Sequence, residues 1–217
     1  MTYKALIFDF DYTLGDATEA ILAGFTHAMT AMGHPAPDRE AVRRTVGMQV
    51  QDAYTLLTGD PDPANRARFY ELFHPVARDL QGQGKVDLFP GAVELLRALR
   101  DHGIAAAVVS TKNTPTLETI FRVKGVDHLF SHVVGGDKVS KPKPDPEGVN
   151  WVLAQMGLTA KEVLYCGDTT IDAATAQNAG CDFCAVLNGT TPAEDFDPYL
   201  HKHIAPNLPN LQSWLGL

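Results

Sequence analysis

The sequence predicts an α/β fold, a parallel sheet flanked by helices, with a helical unit inserted after the first strand. Short strand-type runs recur at Ala5–Phe8 (ALIF), Ala105–Val109 (AAAVV), Val163–Cys166 (VLYC) and Cys184–Leu187 (CAVL). Helical-period sequence separates each from the next, as in a parallel sheet covered by helices. Between the first run and Phe89 no comparable strand occurs, and amphipathic stripes such as Ile21, Leu22, Phe25, Met29 and Met32 take its place.

In chain order, the first run ends at Asp9 and Asp11 and gives way to the inserted helical segment. Internal breaks are expected at GHPAPD (33–38) and GDPDP (59–63), and the exit at QGQGK (81–85), where Gly82 and Gly84 loosen the chain. Helices then follow Pro90–Gly91, ending before Gly103, and Asp145–Pro146, ending before Gly157. A third, DAATAQNA, stops at Gly180. Proline suits a first helical turn and glycine a helix end. This places the core domain at 1–15 and 85–217 and the inserted helical domain at 16–84, a division that 217 residues accommodate.

The composition, 45% hydrophobic and 20% charged, supports a packed core and argues against disorder. A net charge of -8 and a pI near 5.4 argue against nucleic acid, which is bound through clustered Lys and Arg. The N-terminal apolar run is too short for a signal peptide, and no stretch reaches the roughly 20 apolar residues of a membrane span. The expectation is a cytoplasmic protein with neither a nucleic-acid nor a membrane partner. Three cysteines, Cys166, Cys181 and Cys184, cannot all pair and read as buried free thiols. The Cys181–Cys184 spacing lacks a second pair to complete a zinc site. The eight histidines are scattered without metal-site spacing, so His27, His34 and His74 are taken as surface or packing residues. No heptad or long apolar stripe indicates an oligomeric state.

Ligands in parallel α/β sheets bind beyond the carboxyl ends of the strands. Here those ends carry Asp9 and Asp11, then Ser110 and Thr111, and then Asp168 and Asp172 in GDTTID, while Lys141 in SKPKPDP precedes a helix. Gathered carboxylates repel and lose hydration, so the cluster calls for a cation. Oxygen ligands without sulfur or imidazole favour Mg2+, which takes a few carboxylates together with substrate phosphate. A lysine and a hydroxyl beside that ion form a phosphate pocket, and a carboxylate there can be a nucleophile. The residues therefore point to phosphoryl transfer.

In family order, DFDYT, Ser110 of VVST, Lys141 of KPKP, and GDTTID resemble the four motifs of the haloacid dehalogenase superfamily. FPGAVELLRAL and GGDKVSKPKPDPEG resemble its phosphoglycolate-phosphatase-like branch. The resemblance implies a Rossmann-like core with a helical cap and a magnesium-dependent phosphatase acting on a small phosphorylated metabolite, phosphoglycolate or a sugar or nucleotide monophosphate. By that resemblance Asp9 is the nucleophile that becomes an aspartyl-phosphate, and Asp11 protonates the leaving group and then activates water. Ser110 and Lys141 hold phosphoryl oxygens, with Thr111 beside them. The magnesium takes Asp9, Asp168 and the Asp11 carbonyl, with Asp172 in or just behind the first shell. Tyr12 stands where many relatives carry glycine, so its ring is expected to narrow the entrance or pack under the cap.

The presence of Asp11 favours phosphate esters over dehalogenation. The segment from Asp16 to Gly84 contains no lysine; the resemblance implies a cap lysine in phosphonate-cleaving relatives and in β-phosphoglucomutase-like phosphomutases, so its absence counts against both. In RRTVGMQ, resembling the cap loop that faces the active site, Arg43 or Arg44 beside Gly47 is expected to meet an anionic group of the leaving alcohol. Two alternatives remain, such a phosphomutase and a non-catalytic member that binds phosphate or metal.

Overall fold

The computed structural model describes residues 3–217. The chain divides into two units, one running to Asp16 and resuming over Leu88–Leu217, the other spanning Ala17–Asp87. The sequence reading sets the corresponding boundaries at 15/16 and 84/85, one and three residues earlier.

The first unit begins with β1 (Ala5–Phe8) and β2 (Gly15–Asp16). The second holds α1 (Thr18–Ala31), α2 (Arg39–Arg43), α3 (Val50–Thr58) and α4 (Pro63–Gly82). The chain then continues through β3 (Asp87–Leu88), α5 (Ala92–Asp101), β4 (Ala105–Val109), α6 (Thr114–Lys124), β5 (His132–Val134) and α7 (Glu147–Met156). It ends with β6 (Val163–Gly167), α8 (Thr170–Ala179), β7 (Asp182–Val186), β8 (His203–Ala205) and α9 (Leu208–Leu215).

Six strands form one sheet in the order β5-β4-β1-β6-β7-β8, with every neighbouring pair parallel, and β2 pairs with β3 in a separate ribbon. β1 lies between β4 and β6 with all four residues buried, which is why its sequence is an unbroken apolar run. The chain builds from β1 to β4 and β5 on one side, then crosses to β6, β7 and β8 on the other. The order therefore reverses beside β1, the place where open α/β sheets open a ligand crevice.

Glycine sets one helix junction in this unit. Gly91 starts α5 at φ 86, and a Cβ there would lie 2.7 Å from Pro209 Cδ at the start of α9. Bulkier residues are excluded by both backbone and contact.

Within the second unit α1 packs on α4. Gly24 of α1 permits close approach, since a Cβ there would lie 2.7 Å from Phe73 Cδ2. The interior is aromatic: Phe25 meets Phe69 and Phe73 edge-on at 5.1 and 5.2 Å, and Tyr54 stacks on Phe69 at 4.8 Å. Asp38 and Asp62 cap α2 and α4 through the backbone N–H groups of Ala41 and of Ala64 and Asn65.

Some boundaries differ from the sequence reading. β7 starts at Asp182, ahead of Cys184, and α4 continues through Gly82, so QGQGK is partly helix. Among the described residues no helix is long and apolar enough to cross a membrane.

Candidate active site

Three adjacent strands deliver the site. Asp9 follows β1, Ser110 follows β4 and Asp168 follows β6, and because these strands are neighbours their carboxyl ends are too. After β1 the chain turns tightly, Phe10 O accepting from the N–H groups of Thr13, Leu14 and Gly15 at 3.2, 2.9 and 3.0 Å. Tyr12 occupies the turn at φ 57, the one non-glycine residue with positive φ among those described, and is buried. A left-handed backbone is what glycine adopts at no steric cost, a physical reason for glycine at this place. The turn brings Thr13 Oγ1 to Asp168 Oδ1 at 3.2 Å, and Asn188 Nδ2, beyond β7, donates to Thr13 O at 3.1 Å. Gly189 follows, close enough that a Cβ there would overlap Asp168 Oδ2.

The lysine in the site is Lys143, not the expected Lys141. Its ammonium lies 2.6 Å from Asp172 Oδ1 and 3.2 Å from Asp9 Oδ2, with 4% of the side chain exposed. Lys141 is 70% exposed and approaches Asp145 at 3.9 Å. The reason is local. Glu147, the first residue of α7, accepts hydrogen bonds from Ser140 N, Ser140 Oγ and Lys141 N, which fixes the loop, and the side chain that enters the site comes two residues later.

A second cation was not foreseen: Lys112 Nζ lies 3.1 Å from Asp11 Oδ2, and both side chains are nearly buried. Ser110 is buried, and its N–H donates to Val134 O at 3.0 Å. Thr111 is half-buried, its carbonyl packed against Gly136. Arg43, Arg44 and Gly47 belong to the helical unit, where both arginines pair with Glu40, at 2.9 and 3.9 Å, and Gly47 has φ 96.

Asp9, Asp168 and Asp172 are buried and present carboxylate oxygens within 4.8 Å of one another. Asp172 is already committed: Oδ1 takes Lys143, and Oδ2 accepts from Thr169 N at 3.0 Å and Thr169 Oγ1 at 2.6 Å, completing the cap of α8. Both oxygens of Asp9 and Oδ1 of Asp11 are buried, and Asp9 Oδ2 faces the Lys143 ammonium at 3.2 Å. The site thus sets four carboxylates, Asp9, Asp11, Asp168 and Asp172, against two ammonium groups, Lys112 and Lys143. The excess shows in the titration behaviour. Burial, followed by Asp172 and Asp11, pushes the Asp9 carboxyl up to about 6, against Lys143 and the Ser110 hydroxyl. Burial and the charges of Asp172 and Asp9 raise Asp168 well above the carboxylate range. Burial disfavours the Lys143 charge, but Asp172 and Asp9 overcome it and hold the ammonium charged.

A hard divalent cation fits this donor set. Asp9 and Asp168 offer neighbouring buried carboxylate oxygen in a site where carboxylates outnumber ammonium groups, and the oxygens of Asp172 are already engaged by Lys143 and Thr169. The three cysteines are free and buried, and the described metal-competent group contains none of them.

Carboxylates and a buried lysine converging on the switch point of a parallel sheet define a phosphoryl-transfer class of site. Residues 6–186 match the family described as haloacid dehalogenase-like hydrolase. Relatives agree. A phosphoglycolate phosphatase from Vibrio cholerae is 34% identical over 185 residues, covering 82% of this chain and 81% of that protein. One from Rhodobacter capsulatus is 33% identical over 219 residues, covering 97% of each. The solved structure of a haloacid dehalogenase-like hydrolase from Bacteroides fragilis superposes with a TM-score of 0.93 at 31% identity, covering 97% of this chain and all of that one. The chain belongs to the haloacid dehalogenase-like hydrolases and is a phosphatase of that family.

Proposed function

We propose that this phosphatase is magnesium-dependent and hydrolyses a small phosphorylated metabolite, with phosphoglycolate the leading candidate. The observation that carries the reading is the Lys143 ammonium set between Asp9 and Asp172, with Asp168 alongside. Asp9 is the nucleophile: Lys143 holds its Oδ2, and Oδ1 is available to phosphorus.

A carboxylate oxygen of Asp9 forms a bond to phosphorus as the bond to the leaving oxygen breaks, and Asp11 gives that oxygen its proton. Asp11, now a carboxylate, then takes a proton from water, whose oxygen bonds phosphorus while the bond to Asp9 breaks, releasing inorganic phosphate and restoring the Asp9 carboxylate and the protonated Asp11. Lys143, the Ser110 hydroxyl and Thr111 hold the phosphoryl oxygens. Lys112 keeps Asp11 in place between turnovers, since its ammonium reaches Asp11 Oδ2 at 3.1 Å. Asp9, Asp168 and the Asp11 carbonyl would hold magnesium, which would neutralise charge on the dianionic substrate.

In the helical unit, Arg43 or Arg44 beside Gly47 meets the anionic group of the leaving alcohol. The relatives named phosphoglycolate phosphatase support an acidic leaving group. Three buried free thiols fit a reducing cytoplasm. The deciding experiment is p-nitrophenyl phosphate turnover with magnesium, lost on adding EDTA and in Asp9→Asn, followed by phosphate release from a panel of phosphorylated metabolites. Turnover that survives EDTA or Asp9→Asn removes the reading.

A further inference from the structure

We infer that Asn188, in the loop after β7, is a positioning residue for the metal site: acting through Thr13, it fixes the Asp168 carboxylate and the turn that carries Asp11. The inference rests on the reading of Asp168 as a magnesium ligand and deepens it.

Two hydrogen bonds make the link. Asn188 Nδ2 donates to Thr13 O at 3.1 Å, and Thr13 Oγ1 donates to Asp168 Oδ1 at 3.2 Å. The three residues follow β7, β1 and β6, neighbours in the sheet, so the link crosses segments far apart in sequence. The loop that carries Asn188 leaves from a fixed point, because Leu187 N donates to Ala205 O of β8 at 2.9 Å. Thr13 is fully buried and held at three places: its N–H donates to Phe10 O at 3.2 Å, its carbonyl takes the Asn188 amide, and its hydroxyl reaches Asp168. The next loop residue, Gly189, lies against the other oxygen of the carboxylate, where a Cβ would come 2.1 Å from Asp168 Oδ2. Thr13 thus holds one oxygen of Asp168 and the Asn188–Gly189 loop bounds the other.

The chemistry of the link suits a cation site. The acceptor on Thr13 is a carbonyl, so the amide nitrogen is the atom of Asn188 that can face it. An amide donates without carrying charge, whereas a lysine or arginine in its place would also repel a divalent cation. The threonine hydroxyl settles which way the Asp168 carboxylate turns, and a carboxylate oriented before the ion arrives loses less freedom on binding it. Asp11, whose carbonyl is the backbone ligand of the same reading, sits two residues before Thr13 in the turn closed on Phe10 O. One amide therefore steadies both the carboxylate and the carbonyl.

The test uses magnesium alone on the full-length protein, with no substrate. Tm is followed against magnesium concentration after EDTA treatment: the metal-free Tm reports the fold, and the concentration at which Tm climbs reports affinity. Asn188→Ala, Thr13→Val and the double variant form a cycle, and Thr13→Ser keeps the hydroxyl. The expected result is roughly tenfold or more weaker magnesium binding in Asn188→Ala and in Thr13→Val, the usual range for a group that supports a ligand. Thr13→Ser is expected within about twofold of the parent, and the double variant close to the weaker single, because both residues act along one link. Magnesium affinity of Asn188→Ala within about twofold of the parent, whatever its metal-free Tm, or losses that multiply in the double variant, would overturn the role. So would an Asn188→Ala chain that does not fold, because the amide would then be serving the fold. Asn188→Ala decides by itself if Thr13→Val does not fold. A parent whose Tm ignores magnesium defeats the magnesium reading itself, an outcome distinct from variants that match a responsive parent.

Discussion

The Lys143 ammonium lies 2.6 Å from Asp172 Oδ1, both groups almost wholly buried, while Lys141, two residues earlier, stands in solvent. Exchanging each for methionine separates them. Lys143→Met is expected to lose about 10²-fold or more in kcat, the scale for removing one preorganised group from a transition-state anion. Lys141→Met is expected to stay within about twofold, as exposed charges do. Steady-state kinetics on p-nitrophenyl phosphate reads both, and equal losses would contradict the placement.

Gly189 admits no side chain. A Cβ would overlap Asp168 Oδ2 and come within 3.2 Å of Tyr12 Cβ, so Gly189→Ala must displace the carboxylate. The expected outcome is a roughly 10–100-fold weaker activation by magnesium, the usual cost of disturbing a ligand's support, with little change in far-UV circular dichroism. Activity measured against magnesium concentration checks it, and an unaltered activation curve would count against Asp168 as a ligand.

Stability in acid carries a contribution from outside the site. Lys4 lies 2.7 Å from Glu162 Oε1, and Thr159 N and Oγ1 each donate to Oε2 at 2.8 Å. Lys4 first, then the Thr159 groups, lower the Glu162 carboxyl from 4.5 to about 2. Because the folded pKa lies below the unfolded one, this contribution is complete above 4.5 and is lost as pH falls toward about 2. Across that window the Tm of the parent should fall more steeply than that of Glu162→Gln. Parallel curves would show that the contact adds nothing.

The thiols give a test of packing. Cys166, Cys181 and Cys184 are all buried, and burial pushes the Cys181 thiol up to about 11. Thiolate is the reactive form, so near neutral pH the native protein should react slowly with a disulfide reagent, and the denatured protein should release three equivalents at once. Fast reaction of the native protein would mean that the β6–β7 region opens readily.

The central strands were readable because burial on both faces writes continuous apolar runs. β1 and β4 fall where ALIF and AAAVV stand. β5 and β8 were not, since each is three residues long, sits at a sheet edge and begins with histidine. Asp9, Asp11, Ser110, Asp168 and Asp172 could be picked out as polar groups directly following strands, or one turn into a helix. Lys143 could not, because KPKPDP contains two overlapping Lys-Pro-x-Pro frames, at Lys141 and Lys143, and only the Glu147 clamp on Ser140 and Lys141 decides which side chain turns inward. Lys112 escaped for another reason: it follows two hydroxyl residues that drew attention first.

The most direct measurement follows phosphorus onto the protein. After a single turnover with a radiolabelled phosphomonoester and acid quench, label is expected on the peptide carrying Asp9, in Asp11→Ala as well as the parent, and none in Asp9→Asn. Phosphate released with no protein-bound label at any time, or label on a peptide without Asp9, would contradict the assignment of Asp9 as the nucleophile.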